Sequence, residues 1–396
     1  MSGSKKNSNR LLLKPGEKVN EFTIVKLIGQ GGYGDVYEVT KDNNQPLQNS
    51  NKSENKKDEE DDNEYEEEEE EASSRHESIT QKDIQSCLNS RKKLAMKVEM
   101  ASCPTQSLKL EQTILQTLEG SIYFPQIKGA GFKTHFRYLV MDLFGPSLSN
   151  TRRQMKERHY TLSTTLRLGV YMLQCIEEFH KHGYVHCDIK PGNYLLQTDS
   201  PCPIVLIDYG LSRQYINPKT NQPFPEAKNA GFVGTSKYMS LQVHQGCDTC
   251  PRDDIISLCY SLVEMVGGKL PWRLTGEEQM KKIIKMKKTL SLEEIFGSLP
   301  PQIQTIYKYA MKLKYLDQPD YKLLFYLLNE AIEANNINEK DPYDWESFDE
   351  AKAHEFSPAV DLPKAKYSIL FPNGIDRNVE IPDDLDVPEG SCCSIF

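Results

Sequence analysis

Apolar and polar positions alternate over residues 22–28 and again over 36–40, the period of strands that bury one face. A third such run covers residues 94–99 and a fourth 136–141. Between the third and fourth, residues 106–118 switch to helical spacing, with Leu108, Glu111, Ile114, Leu115 and Leu118 on roughly one face. Glu111 sits among these apolar positions and is expected to point inward. A buried carboxylate needs a partner, and Lys97 is the natural one. A long helical period then spans 162–182 (Leu166, Leu173, Ile176, Phe179) and stops at Gly183. Two short apolar β-type runs follow, 193–196 and 204–207. An apolar helix from about Arg252 ends at Gly267-Gly268, Leu270-Pro271-Trp272 ends the next turn, and further periodic segments run to about Ala334. Strands with one helix come first and helices afterwards, which predicts an α+β chain.

Composition changes this picture locally. The chain has 396 residues, 38% of them apolar, enough for one large two-lobed unit or two smaller domains. Its formal charge is −9, yet residues 58–71 alone carry twelve Asp and Glu; without them the rest stands at +3. That run lies in residues 42–92, where Asn, Gln, Ser, Lys and acidic residues bury too little apolar surface to fold, so a disordered insertion is expected there. Basic residues are not clustered, which argues against a nucleic-acid partner. The chain opens on a basic, polar tail, residues 1–16, with no signal-peptide pattern, so its ten scattered cysteines are read as cytosolic thiols. Cys247 and Cys250 form a C-x-x-C without a second pair at zinc spacing and are read as a loop coincidence. No stretch is long and apolar enough to span a bilayer.

Three stretches carry chemistry. Gly29-Gln30-Gly31-Gly32-Tyr33-Gly34-Asp35-Val36 fits G-x-G-x-x-G-x-V. Glycines let a backbone turn tightly and approach phosphates without an intervening Cβ. The same glycines open Rossmann units, but there a helix follows at once. Here β-branched residues and Tyr37 follow, which predicts a hairpin lid. Leu94-Ala95-Met96-Lys97 places one lysine on the next strand. Between Gly183 and Gly210, His186, Asp188, Lys190, Asn193 and Asp208-Tyr209-Gly210 put acidic, basic and amide groups at fixed offsets around the two short strands.

These stretches resemble, in turn, the glycine loop, the V-A-I-K strand, the H-R-D-x-x-x-x-N catalytic loop and the Asp-Phe-Gly turn of protein kinases. The resemblance implies a bilobal fold: an antiparallel β-sheet N-lobe with one main helix, to about residue 144, and a mostly helical C-lobe over 145–334, within a kinase domain of residues 17–334. It implies ATP and Mg2+ as cofactors, with Ile28, Gly29, Gln30, Gly31, Gly32, Tyr33, Gly34, Val36 and Ala95 around the nucleotide. Lys97, paired with Glu111, would bind the α- and β-phosphates. Met141 would guard the back pocket, and Asp142, Leu143 and Phe144 would form the hinge beside adenine. Asp188 would accept the proton of the incoming hydroxyl, Lys190 would meet the transferring phosphoryl group, and Asn193 and Asp208 would hold the metal. Thr235 would hydrogen-bond Asp188 and Lys190, and Asp254 would cap the catalytic-loop backbone from beneath.

Finer features are similar to the casein kinase I superfamily and, within it, to the tau-tubulin kinases. Leu143-Phe144-Gly145-Pro146-Ser147-Leu148 resembles the family's L-L-G-P-S-L, and Ser240-Leu241-Gln242 stands where most kinases have Ala-Pro-Glu. Asp317-Gln318-Pro319-Asp320-Tyr321 resembles D-x-K-P-D-Y. Residues 161–169 and Ala230-Gly231-Phe232 resemble the tau-tubulin group in particular. The family implies protein Ser/Thr substrates in acidic or phosphorylated contexts, with Lys237 as a substrate-anion contact. Two departures bear on regulation. Cys187 replaces the arginine that binds a phosphorylated activation loop in many kinases, which predicts activity without that phosphorylation. Val233 replaces an arginine shared by tau-tubulin kinases, which weakens a basic pocket for primed substrates. The competing reading is a membrane-tethered pseudokinase scaffold; it is disfavoured because Lys97, Glu111, Asp188, Asn193 and Asp208 are all present.

Two flanking features extend the reading. The insertion reads first as an inert solvated loop; the alternative is that Glu66–Glu71, running into Ser73 and Ser74, make an acidic acceptor context for autophosphorylation or competition with substrate. Cys393-Ser394-Ile395-Phe396 satisfies C-a-a-X, with terminal Phe favouring geranylgeranyl and Cys392 available for palmitoylation. One chain anchors only marginally, so both would be needed. The chain is thus expected in the cytoplasm, with a membrane anchor supplied by the C-terminal lipid. Residues 335–396 read as an extended tail partly laid over the C-lobe.

Overall fold

The computed structural model describes residues 12–31, 34–42, 93–198, 200–228, 230–272, 279–347, 370–371, 374–382 and 385. The acidic insertion, Gly32, Tyr33, Cys392 and Cys393 lie outside the described residues.

Six strands form one antiparallel sheet: β1 (Lys18–Val19), β2 (Phe22–Gly31), β3 (Gly34–Lys41), β4 (Lys93–Met100), β5 (Ile127–Lys133) and β6 (Phe136–Asp142), in the order β1-β2-β3-β4-β6-β5. The period-2 pattern assigns its faces. Leu94, Met96, Val98, Tyr138 and Val140 join Phe22, Ile24, Tyr37 and Val39 in a closed cluster on one side. Ala95, Leu139 and Met141 face the other way and enter the main core. Lys97, two residues after Ala95, therefore shares the inner face. Helix α1 (Ser107–Thr117) packs there, burying Leu108, Glu111, Ile114 and Leu115.

The second lobe is helical: α2 (Leu148–Gln154), α3 (Leu162–Lys181), α4 (Leu241–His244), α5 (Pro251–Gly267), α6 (Gln279–Thr289), α7 (Leu292–Phe296), α8 (Pro301–Lys312) and α9 (Tyr321–Ala334). Local chemistry starts these helices. Ser147, Thr161, Ser240, Ser291 and Asp320 each accept a backbone N–H as N-caps. Cys250 and Asp253 form a capping box at the start of α5, so half of the C-x-x-C pair has a helix-capping job. Among the described residues no cluster of three His, Cys, Asp or Glu could hold a metal, and no helix is long and apolar enough to cross a membrane.

Short strands β7 (Tyr184–Val185), β8 (Tyr194–Leu196), β9 (Ile204–Leu206) and β10 (Arg213–Gln214) lie between the lobes, with β7 paired to β10 and β8 to β9. Asn193, read above as the first strand residue, instead ends the 3-10 turn Pro191–Asn193; proline at its start favours that turn over a ladder.

The boundary drawn at residue 334 needs correction. Tyr343, Trp345, Leu370 and Leu385 enter the main core. Trp345 is 1% exposed, stacks on Tyr343 and meets Tyr160 edge-on. Arg167, fully buried on α3, donates to the carbonyls of Glu339, Asp341 and Pro342 and lies over the Tyr343 ring. The tail expected to lie over the C-lobe thus contributes side chains to its core, and the folded unit extends past α9.

Candidate active site

Strand register brings the glycine hairpin over the lysine. Gly29 pairs with Val36 across β2 and β3, and Val36 pairs with Lys97 across β3 and β4. Gly34 permits the fold-back: its φ is +135°, and a Cβ there would lie 2.2 Å from the Val98 carbonyl oxygen. Ala95 pairs with Met141 across β4 and β6, and Leu94 with Asp142, so the strand end that leads to Leu143 and Phe144 borders the same cleft. Asp142 pairs with Lys128 at 3.2 Å. Val36 and Leu143 pack against the main core, whereas Ile28 is 37% exposed on the hairpin.

Lys97 is the junction of the two lobes. Its Nζ donates to Glu111 Oε2 at 2.5 Å and to Asp208 Oδ1 at 3.3 Å, joining β4, α1 and the turn after β9. Burial opposes its charge, yet Glu111 and Asp208 outweigh that and hold the ammonium above the ordinary lysine range. Burial likewise opposes the Asp208 carboxylate, but Lys97, His186 and Lys190 bring it below the ordinary range. Asp208 has φ +71°, an uncommon conformation for a non-glycine residue that recurs at functional sites. Tyr209 beside it is fully buried, stacks on Phe179 and meets Phe124 and His186 edge-on, anchoring the turn from below.

Asp188 lies across the cleft. Its Oδ1 accepts the Thr235 backbone N–H at 2.8 Å, and its Oδ2 accepts Lys190 at 2.5 Å and Asn193 Nδ2 at 3.3 Å. Lys190 also donates to Thr235 Oγ1 at 2.9 Å. Thr235 thus reaches both expected partners, but it reaches Asp188 through its amide rather than its hydroxyl. The close approach depends on Gly234, where φ is +104° and a Cβ would fall 2.3 Å from the Cys187 carbonyl oxygen. Asn193 commits its amide nitrogen to the Asp188 backbone carbonyl at 2.9 Å, which leaves Oδ1 as its acceptor. Asp254 takes the His186 N–H at 2.7 Å and the Cys187 N–H at 3.0 Å from beneath, with His180 at 2.9 Å. Asp208 and Asn193 offer oxygen donors, the set that suits a hard divalent cation, and the glycine hairpin and Lys97 suit phosphate.

A protein kinase domain model matches residues 84–330. This chain belongs to the protein kinase family. Members of the family use ATP and a divalent metal. The match begins after β3, but β3 pairs with β4 along its length, so the glycine hairpin is part of the same folded unit. The chain is also 34% identical over 255 residues to a probable serine/threonine-protein kinase of Dictyostelium discoideum, a likeness covering 64% of this chain and 51% of that relative. The chain spans about half the length of that curated relative.

Three side-chain groups at this site were not foreseen from the sequence. Lys237 does not stand free as an anion contact: its Nζ bonds Glu264 Oε1 at 2.7 Å, and Tyr238 donates to the same carboxylate. Arg213 pairs with Asp248 and donates to the Ala230 carbonyl at 3.1 Å, while the Ala227 N–H donates to Asp248 at 3.0 Å. Lys287 on α6 is 6% exposed and lies under the segment after Thr235. Glu264 and Asp248 carry no motif; Lys287 left a signal, being four residues after the buried Ile283 on the same helix face.

Proposed function

We propose that this chain transfers the γ-phosphoryl group of ATP to serine and threonine hydroxyls of proteins. The observation that carries the reading is Lys97 bonded to both Glu111 and Asp208, which assembles three distant segments opposite Asp188 and Asn193. Bound in the cleft, magnesium-ATP supplies the phosphoryl group and neutralises its developing charge. Lys97 orients the phosphates, Asn193 and Asp208 hold the metal, and Asp188 orients the acceptor hydroxyl and takes its proton. Lys190, bonded to Asp188, faces the transferred group. The test is phosphate transfer to casein by the full chain, with D208N as control. Transfer that D208N abolishes supports the reading; a wild-type chain with no transfer to any protein makes it a scaffold.

The family motifs support a casein kinase I-like enzyme close to the tau-tubulin kinases, active without phosphorylation of its activation segment. Asp248 supports the second part. Its carboxylate holds Arg213 and the Ala227 amide, so the segment carries its own anion where other kinases need a phosphate. Full activity after phosphatase treatment is the expected result. Lys237, neutralised by Glu264, argues against a requirement for a priming phosphate on the substrate. Autophosphorylation of Ser73 or Ser74 is tested by deleting residues 45–90, which should remove phosphosites. Anchoring through Cys393 and Cys392 is tested by C393S, which should move the protein from membranes to the soluble fraction.

A further inference from the structure

Lys287, like Arg167, is a buried cation held by backbone carbonyls and aromatic faces. Its ammonium has no carboxylate partner among the described residues. Instead Nζ donates to the Met239 carbonyl at 2.5 Å and the Ser236 carbonyl at 3.3 Å, and lies 4.7 Å above the Tyr260 ring centroid and 4.9 Å above that of Trp272. Backbone oxygens and aromatic faces are the neutral groups that attract a cation. Residues 236–239 follow directly on Thr235, whose amide and hydroxyl bond Asp188 and Lys190.

The neighbouring bonds repeat the theme. The Ser236 carbonyl also lies 3.0 Å from His244 Nε2, which is itself 3.3 Å from Lys287 Nζ. The Lys237 carbonyl accepts Trp272 Nε1–H at 2.8 Å, and the Tyr238 carbonyl accepts Ser257 Oγ–H at 2.8 Å. Four consecutive carbonyls are therefore each taken by a side chain from below, through α5, α6 and the turn at Trp272. None of these donors touches Asp188, Lys97 or Asp208.

We infer that Lys287, with Trp272 and Ser257, is a positioning residue for protein substrate: it fixes the height and direction of residues 236–239, which continue from Thr235 beside Asp188 and would there meet an acceptor peptide, and takes no part in the phosphoryl-transfer chemistry. This rests on the protein-kinase function proposed above. What Lys287 holds, the Ser236 and Met239 carbonyls, belongs to the segment that follows Thr235, whereas the similarly buried Arg167 holds carbonyls far from Asp188.

The test uses the full chain, with casein as acceptor, comparing wild type, K287M and S257A. For K287M the expected result is a KM for casein raised about tenfold, the scale of a lost charge-assisted hydrogen bond. KM for ATP and the slow hydrolysis of ATP by water should stay within about twofold, and the melting temperature should not fall. S257A should raise the casein KM in the same direction by a smaller factor. An unchanged casein KM in both variants overturns the inference, as does a parallel loss in casein use and ATP hydrolysis. If K287M does not fold, S257A decides alone by the same criteria. Wild-type chain that transfers no phosphate to casein or any other protein overturns the kinase reading itself, a result separate from either of these.

Discussion

At the scale of single residues the site is a set of charges that hold one another in place. Glu111 lies 3% exposed on α1, and its bond to Lys97 ties that helix to the sheet. Replacing it by glutamine leaves Lys97 with Asp208 as its one charged partner and draws the ammonium toward Asp208. E111Q is expected to raise KM for ATP about tenfold, measured by initial rates, because a charge-assisted bond becomes a neutral one. Lys287 gives a second prediction, in pH. Burial pulls its ammonium down to about 7, from 10.5 in the unfolded chain. The unfolded state therefore binds the proton between those values while the folded state releases it, so stability rises with pH through that window. The groups facing it do not reverse the sign: His244 is pulled down to about 4 by burial and by Lys287, Tyr260 is pushed up by burial, and Trp272 does not titrate. Urea unfolding of K287M between pH 7 and 10 should show a flatter slope than wild type; an identical slope would refute the assignment.

At the scale of elements, the sequence was legible where one period held for a full segment. The strands at 22–28, 36–40, 94–99 and 136–141 and the helix at 106–118 are all present within a few residues, because alternation and i, i+3, i+4 spacing are set by which face meets the core. Asp188, Asn193 and Asp208 were legible from fixed offsets around two short strands, and Lys97 and Glu111 because the periods of a strand and a helix turn both toward the same inner face. What escaped was held by single long-range contacts. Glu264 under Lys237, Asp248 under Arg213 and Lys287 under Met239 join segments dozens of residues apart, and no local pattern announces such a pair. The segment at Gly234 and Thr235 shows how tightly one element depends on another. Gly234 presses on the Cys187 carbonyl in a left-handed conformation, so G234A must either strain the backbone or lift Thr235 from Asp188. Activity should fall at least about a hundredfold, with a stability loss of about 1–3 kcal/mol for the strained backbone. Casein phosphorylation and thermal melting of the same preparation measure both.

At the scale of the whole molecule, the family match ends at residue 330, but the folded unit does not. Residues after α9 close over α3. Asp344 accepts the Thr161 N–H at 2.7 Å and its hydroxyl at 2.8 Å, capping the start of that helix, and Gln174 near its middle donates to the Leu370 carbonyl at 2.7 Å. Arg167 makes the dependence acute. The carbonyls of Glu339, Asp341 and Pro342 accept its guanidinium, while on its own helix it has the Ser163 carbonyl at 3.4 Å. Truncation after Ala334 would strip a buried cation of these acceptors and expose the surface that Trp345 and Tyr343 now cover. Losing Trp345 alone corresponds to about 3–5 kcal/mol, a large share of the ~5–15 kcal/mol by which domains are stable. Because α3 leads directly into β7 and the catalytic loop, the damage should reach Asp188 as well as the melting temperature. A chain ending at 334 is therefore expected to be aggregation-prone and inactive, W345A to melt at least several degrees lower, and R167M to recover part of the truncated chain's stability. Equal melting of the full and truncated chains would mean that the C-terminal segment is only an ornament on a domain complete at α9.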